Sequence, residues 1–220
     1  MPKTKTAAYP RLVSAATKLF ALNGPDKTTT REIAEEAGSS LSSIHVIFGS
    51  KDGLYREAMR LALEAYKVGN AAAIEHAEGF LASGSRDVEQ AWRRLEELIA
   101  SVSSWALDGR NYYEIRLVNR ELMFPGKAFD MFEGGITDLQ SLLCRLIAVV
   151  NVDGSDFDNR FLSYTIVTSI FDHVIFSKAE GSWLGMDFSD GEARATVKER
   201  LDSYLVGALR GNVAGCSAVR

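Results

Sequence analysis

Cysteine, histidine and proline are all scarce in this 220-residue chain, which has two, three and four of them respectively. Two cysteines, Cys144 and Cys216, build neither a disulfide framework nor a thiolate metal site, and they fit a reducing cytoplasm. The three histidines (His45, His76 and His173) stand far apart, with no HExxH spacing. No metal or other cofactor is therefore expected. Phosphate loop, glycine-rich dinucleotide turn and nucleophile elbow are missing as well. No apolar run approaches the ~18 residues that span a bilayer. The first ten residues, MPKTKTAAYP, lack the apolar stretch of a signal peptide. Strand-type alternation and hairpin dipeptides are also lacking.

What is present is helical periodicity along almost the whole chain, so an all-α fold of about nine helices is expected. The first helix reads from Tyr9 to Leu22, with Leu12, Ala15, Ala16, Leu19 and Phe20 on one face. The stretch from Thr28 to Tyr55 then carries the sharpest pattern. Thr29-x-x-Glu32 is a capping box, Ile33, Ala34 and Ala37 make one apolar face, and Gly38 supplies a left-handed stop. Ser40 caps a further short helix whose inward face is Leu41, Ile44 and Phe48, and Gly49 ends it. Ser50 caps a fourth helix from Lys51 towards Gly69. Two short helices crossing at small residues are the helix-turn-helix build, whose second helix enters a DNA major groove.

These residues resemble the TetR family of one-component repressors. The matching positions are Arg11-Leu12-Val13, Ala16, Leu19-Phe20 and Gly24, then Thr28 to Thr30, Ile33-Ala34, Ala37-Gly38, Phe48, Ser50-Lys51 and Leu54. The family more often has valine at Ser39, a basic or small residue at Leu41 and tyrosine at His45. The resemblance implies a homodimer on a roughly palindromic operator in double-stranded DNA. A weaker likeness, carried by Arg120-Glu121, the run to Pro125, the helix through Leu146-Ile147 and Glu180-Gly181-Ser182-Trp183, points to the CecR (YbiH-type) C-terminal domain.

Charge agrees with a reader and a body. Residues 1–60 hold nine Lys/Arg and six Asp/Glu, a balance of +3, which leaves −7 for the remainder of a chain of net charge −4. A basic end suits phosphate, and an acidic body is kept from it. The expected division is residues 1–50 as the DNA-binding domain, a connecting helix over 51–68, a helical ligand-binding and dimerisation domain over 69–211, and a disordered tail over 212–220.

Expected DNA contacts are Thr29, Thr30, Arg31, Ser40, Leu41, Ser42, Ser43, His45 and Lys51. The hydroxyls and helix N-termini suit phosphate, Arg31 suits a guanine edge or a phosphate, and Leu41 a thymine methyl. The bland alternative is solvated serines and a His45 that merely packs. Lys51 matches the family's phosphate contact.

Further along, Gly79 and Gly84 mark a loop. A strongly periodic helix follows from about Asp87, ended by Asp108-Gly109, and others are expected over about Asn111–Met123, Lys127–Val150 and Asp156–Lys178. Ser189-x-x-Glu192 opens the last, to about Leu209. The resemblance implies a chamber for a small apolar or aromatic effector, with Trp92, Trp105, Tyr112, Tyr113, Arg116, Arg120, Met123, Phe124, Phe129 and Phe132 as its candidate lining. An aromatic stripe at helical spacing is also what plain core looks like. The dimer surface is expected on the last two helices, at Phe161, Tyr164, Thr168, Phe171, Leu201, Tyr204 and Leu205.

Three function classes follow. The first is a ligand-responsive regulator, read as a repressor released by its effector, soluble and away from membranes. The second is a ligand-independent helical DNA binder, which the acidic, aromatic second half disfavours. The third is a small helical enzyme built on Asp172-His173, but neighbouring helical residues point about 100° apart and do not face each other.

Overall fold

A computed structural model describes residues 7–132, 136–175, 185, 187 and 189–218. Among them are ten α-helices, two short 3-10 turns and no strand. The helices are α1 (Ala8–Asn23), α2 (Thr30–Glu36), α3 (Leu41–Phe48), α4 (Lys51–Gly69), α5 (Ala71–Ala82), α6 (Val88–Leu107), α7 (Tyr112–Met123), α8 (Ile136–Val150), α9 (Asp156–Ile175) and α10 (Gly191–Ala218). No helix among the described residues is long and apolar enough to cross a membrane. The segment Glu180 to Trp183, part of the CecR likeness, lies outside the described residues.

The chain forms two compact units. The first comprises residues 1–66 and 113–133, the second 67–112 and 134–220. In the first, Leu12, Ala16 and Phe20 of α1 are wholly buried with Ile33, Ile44, Leu54, Met59 and Leu117. Phe20 meets the ring of Tyr55 edge-on, with centroids 5.0 Å apart.

This division differs from the boundary expected at residue 69, because 113–133 packs with the reader. The cause is a buried carboxylate. Glu121, 2% exposed, accepts a 2.6 Å hydrogen bond from the Tyr55 hydroxyl, and further bonds from the backbone N–H of Gly126 (3.0 Å) and of Ala128 (2.7 Å). Burial, with the Glu121 carboxylate beside it, pushes the Tyr55 phenol well above its ordinary pKa. Arg56 then forks onto Asp130, with both nitrogens at 2.7 Å, and Lys127 reaches Asp52 at 2.6 Å. On the other side Arg116 Nε donates to the Ala21 carbonyl at 3.1 Å.

The expected helix over 127–150 is split for the same reason. Its first residues are drawn into the turn that Glu121 holds, and Phe129–Phe132 close a 3-10 turn with Phe132 buried.

In the second unit α6 is the axis, with α5, α8, α9 and α10 all packed on it. Asp87 caps it by accepting from the Gln90 N–H at 3.0 Å, and Leu95, Leu98, Ile99 and Val102 are buried. Arg210 of α10 lies 4.3 Å over the Trp92 ring and binds Glu96 at 2.6 Å. Three further details differ from expectation. Gly79 sits inside α5 rather than in a loop. The α10 N-terminus is capped by Asp190, whose carboxylate accepts from the Glu192 N–H at 3.1 Å, rather than by Ser189. α10 also runs on to Ala218, past the point where a tail was expected.

Replacing Glu121 with alanine strands the buried donors of Tyr55 and Ala128, frees the N–H of Gly126, and is expected to cost roughly 3–5 kcal/mol. Glutamine, which keeps an oxygen, should cost less. Denaturant unfolding of both variants measures this, and an alanine cost below about 1 kcal/mol would contradict the buried-acceptor account.

Candidate nucleic-acid interface

Local sequence sets the reader's geometry. The Thr29 side chain accepts from the Glu32 N–H at 3.2 Å while the Glu32 carboxylate accepts from the Thr29 N–H at 2.7 Å, a complete capping box. At the other end of α2, Gly38 takes φ +54°, and the Ser39 N–H closes onto the Ala34 carbonyl at 2.9 Å. That turn sets α3 on its way. Ser40 caps it, accepting from the Ser43 N–H at 3.3 Å, and its Oγ lies 2.9 Å and 2.8 Å from those of Ser42 and Ser43. Three hydroxyls thus cluster at the positive end of α3.

The helix is held from beneath by Ile44, fully buried, and by Phe48, stacked on Tyr9 at 5.5 Å. Its opposite face is open: Leu41, Ser42, His45 and Val46 are exposed, and Ser43 is half-buried. His45 is thus open to solvent rather than packed. Thr29 is exposed and Thr30 half-buried at the start of α2. Arg31 is largely exposed and holds Glu35 at 3.0 Å. Lys51 has its ammonium on the carbonyls of Pro25 (2.8 Å) and Thr28 (3.2 Å), tying α4 to the loop before α2. Val46, 66% exposed, is not among the contacts expected from sequence.

The candidate effector residues are divided between the units. Tyr113, Arg116, Arg120, Met123, Phe124, Phe129 and Phe132 belong to the first, and Trp92, Trp105 and Tyr112 to the second. Arg116 is engaged with α1, and the Arg120 guanidinium lies so close over Gly24 that a Cβ there would come within 2.4 Å of it. Met123 and Phe124 are exposed, and Trp92 is covered by Arg210. A cleft of about 660 Å³ opens in the second unit, lined by Gly69, Ser101, Ser104, Trp105, Asp108, Arg110 and Asn111. Trp105 alone of the candidate residues lines it. The Arg110 guanidinium beside Asp108 holds that carboxyl below its usual range.

On α9 an exposed aromatic row runs through Phe157, Phe161 and Tyr164, the first two stacked at 6.2 Å. Thr168 and Phe171 are half-buried, and Tyr204 of α10 is 70% exposed. Leu201 and Leu205 depart from the expected dimer surface. They are buried with Val197 and Leu209, because that spacing faces the unit's own core. His173 turns its Nδ1 to the Ser169 carbonyl at 2.7 Å, a bond within its own helix, while Asp172 is exposed. No metal-holding group of His, Cys, Asp or Glu occurs among the described residues.

Residues 12–58 match the family model described as bacterial regulatory proteins, tetR family. No curated protein matches the chain. Among solved structures, a bacterial regulatory protein in the tetR family from Rhodococcus RHA1 is 18% identical, with TM-score 0.68, covering 93% of this chain and 97% of its own. The ketosteroid transcriptional regulator KstR2 of Mycobacterium tuberculosis is 16% identical, with TM-score 0.65, over 94% and 96%. AibR, solved in complex with isovaleryl coenzyme A and operator DNA, is 10% identical, with TM-score 0.68, over 90% and 98%. At these identities the likeness is one of fold.

The capping box makes a pH prediction. The Thr29 backbone N–H, then its hydroxyl, hold Glu32 below its ordinary pKa. A lowered native pKa stabilises the fold above the unfolded value of ~4.3, and that contribution is lost as pH falls through the native value. Glu32→Gln is expected to flatten the acid-side loss of stability below about pH 5, read by urea unfolding followed across pH. An unchanged slope would remove Glu32 from that role.

Proposed function

From the match of residues 12–58 to the tetR family model, we propose a ligand-responsive transcriptional regulator. It acts in the cytoplasm as a homodimer and represses from a palindromic operator until a small effector releases it. The observation that carries this reading is the open face of α3, with its capped, hydroxyl-rich N-terminus, inside the matched domain. Thr29, Thr30, Ser40 and Lys51 position the protein on phosphates. Arg31, Leu41, Ser42, Ser43 and His45 meet base edges or the backbone beside them.

Dimerisation uses the exposed row Phe157, Phe161 and Tyr164 with Tyr204. Large aromatics left in water on the last two helices support it. A twofold pair sets two readers about 34–36 Å apart, one turn of DNA. The effector enters the cleft at Trp105, its flat or apolar part against the indole and its polar edge towards Asp108, Arg110 and Asn111. The chain passes between its units within α4, at the head of α7 and after residue 133, and the two helices at the first two crossings, α4 and α7, are the levers. A preference of ~1–3 kcal/mol for the released state weakens DNA binding about 5–150-fold. The assignment to the CecR (YbiH-type) subgroup is supported by Arg120-Glu121 and the run to Pro125, in which Glu121 is the buried acceptor.

The test joins assembly to DNA binding. Phe161→Asp with Tyr204→Asp is expected to sediment as a monomer and to lose gel-shift binding of duplexes that the parent protein selects from a random pool. A double variant that stays dimeric would move the interface elsewhere. A parent that selects no duplex would end the regulator reading.

A further inference from the structure

Helical geometry puts one apolar side chain in the middle of the reading face. With 3.6 residues per turn, Val46 and Ser42 stand one turn apart and opposite buried Ile44, while His45 and Ser43 flank them. Val46 is 66% exposed there. Leu41, also exposed, stands nearer the core side at the N-terminal edge. The rest of the face is hydroxyls and an imidazole, groups that bond to many base edges and discriminate poorly.

A β-branched residue gains nothing for a short helix, since it lowers helix propensity. At the centre of this face it also displaces water that a polar side chain would keep. The major groove offers one apolar group to meet it, the C5-methyl of thymine. The setting favours DNA as the occupant: the first 60 residues carry a balance of +3, and the capped N-terminus of α3 adds its positive pole beside the same face.

We propose that Val46 is a specificity-determining residue, reading a thymine methyl near the centre of each operator half-site. Leu41 makes at most an edge contact. This rests on the DNA-binding reading above. It goes beyond it by fixing one base feature of an unknown operator, and by assigning that feature to one side chain.

The experiment uses the full chain and duplexes selected from a random pool. Each thymine is replaced in turn by deoxyuridine, which keeps the base pair and removes only the methyl. One thymine per half-site is expected to show an affinity loss of about fourfold on replacement, the factor for one methyl-sized group leaving water. Val46→Ala should abolish that difference, while its affinity for the uracil duplex stays close to the parent's. Leu41→Ala should leave the difference intact. Circular dichroism confirms that the exposed substitutions fold, and Val46→Thr, which keeps a methyl, should retain part of the discrimination. Tight binding with every thymine-to-uracil change neutral overturns the inference and leaves the regulator reading standing. So does a Val46→Ala variant that still prefers thymine fourfold. Failure to select any duplex overturns both.

Discussion

One buried carboxylate organises the first unit. Glu121 has no water to solvate it, and its charge is tolerable because a phenol and two backbone amides converge on it. Through Tyr55 it joins α7 to α4, and through Gly126 and Ala128 it bends the chain after Pro125 into a hook. The surface pairs Arg56–Asp130 and Lys127–Asp52 follow that bend rather than cause it, since exposed ion pairs are individually weak. The buried acceptor acts with Leu117 in the core and Arg116 on the Ala21 carbonyl to hold this segment on α1 and α4.

This attachment bears on how a regulator could work. A helix that belongs in sequence to the body is part of the reader's own packing, with Leu117 in its core and Arg116 on the Ala21 carbonyl of α1. A displacement of α7 cannot leave the reader untouched. Close-packed cores switch between arrangements rather than deform smoothly. The cleft at Trp105 is lined chiefly by polar residues, Ser101, Ser104, Asp108, Arg110 and Asn111.

Most of the fold was legible because its signals are local. Thr29, Glu32, Ser40, Asp87 and the left-handed Gly38 each act within one turn of chain, so spacing alone exposed them. The periodicity from Val88 to Trp105 marked α6 almost to its ends. The candidate reader was legible for the same reason. The effector and dimer residues were not, because the question there is which of several apolar faces meets which neighbour. Leu201 and Tyr204 are three residues apart, yet one is buried and the other open.

By itself, the sequence determined an all-helical chain and a capped helix-turn-helix at its basic end, whereas Leu41, read as inward, and Val46 both stand exposed on α3. The helices and their caps depend on contacts a few residues apart, and the covalent order contains them. Tertiary structure alone decided that α7 and its hook join the reader, that Leu201 and Leu205 turn inward, and that Trp105 rather than Trp92 borders an open cleft. Each of those is a meeting of groups distant along the chain, such as Tyr55 with Glu121 or Trp92 with Arg210. Which of the many possible meetings occurs depends on burial of the whole surface, and no local pattern carries that information.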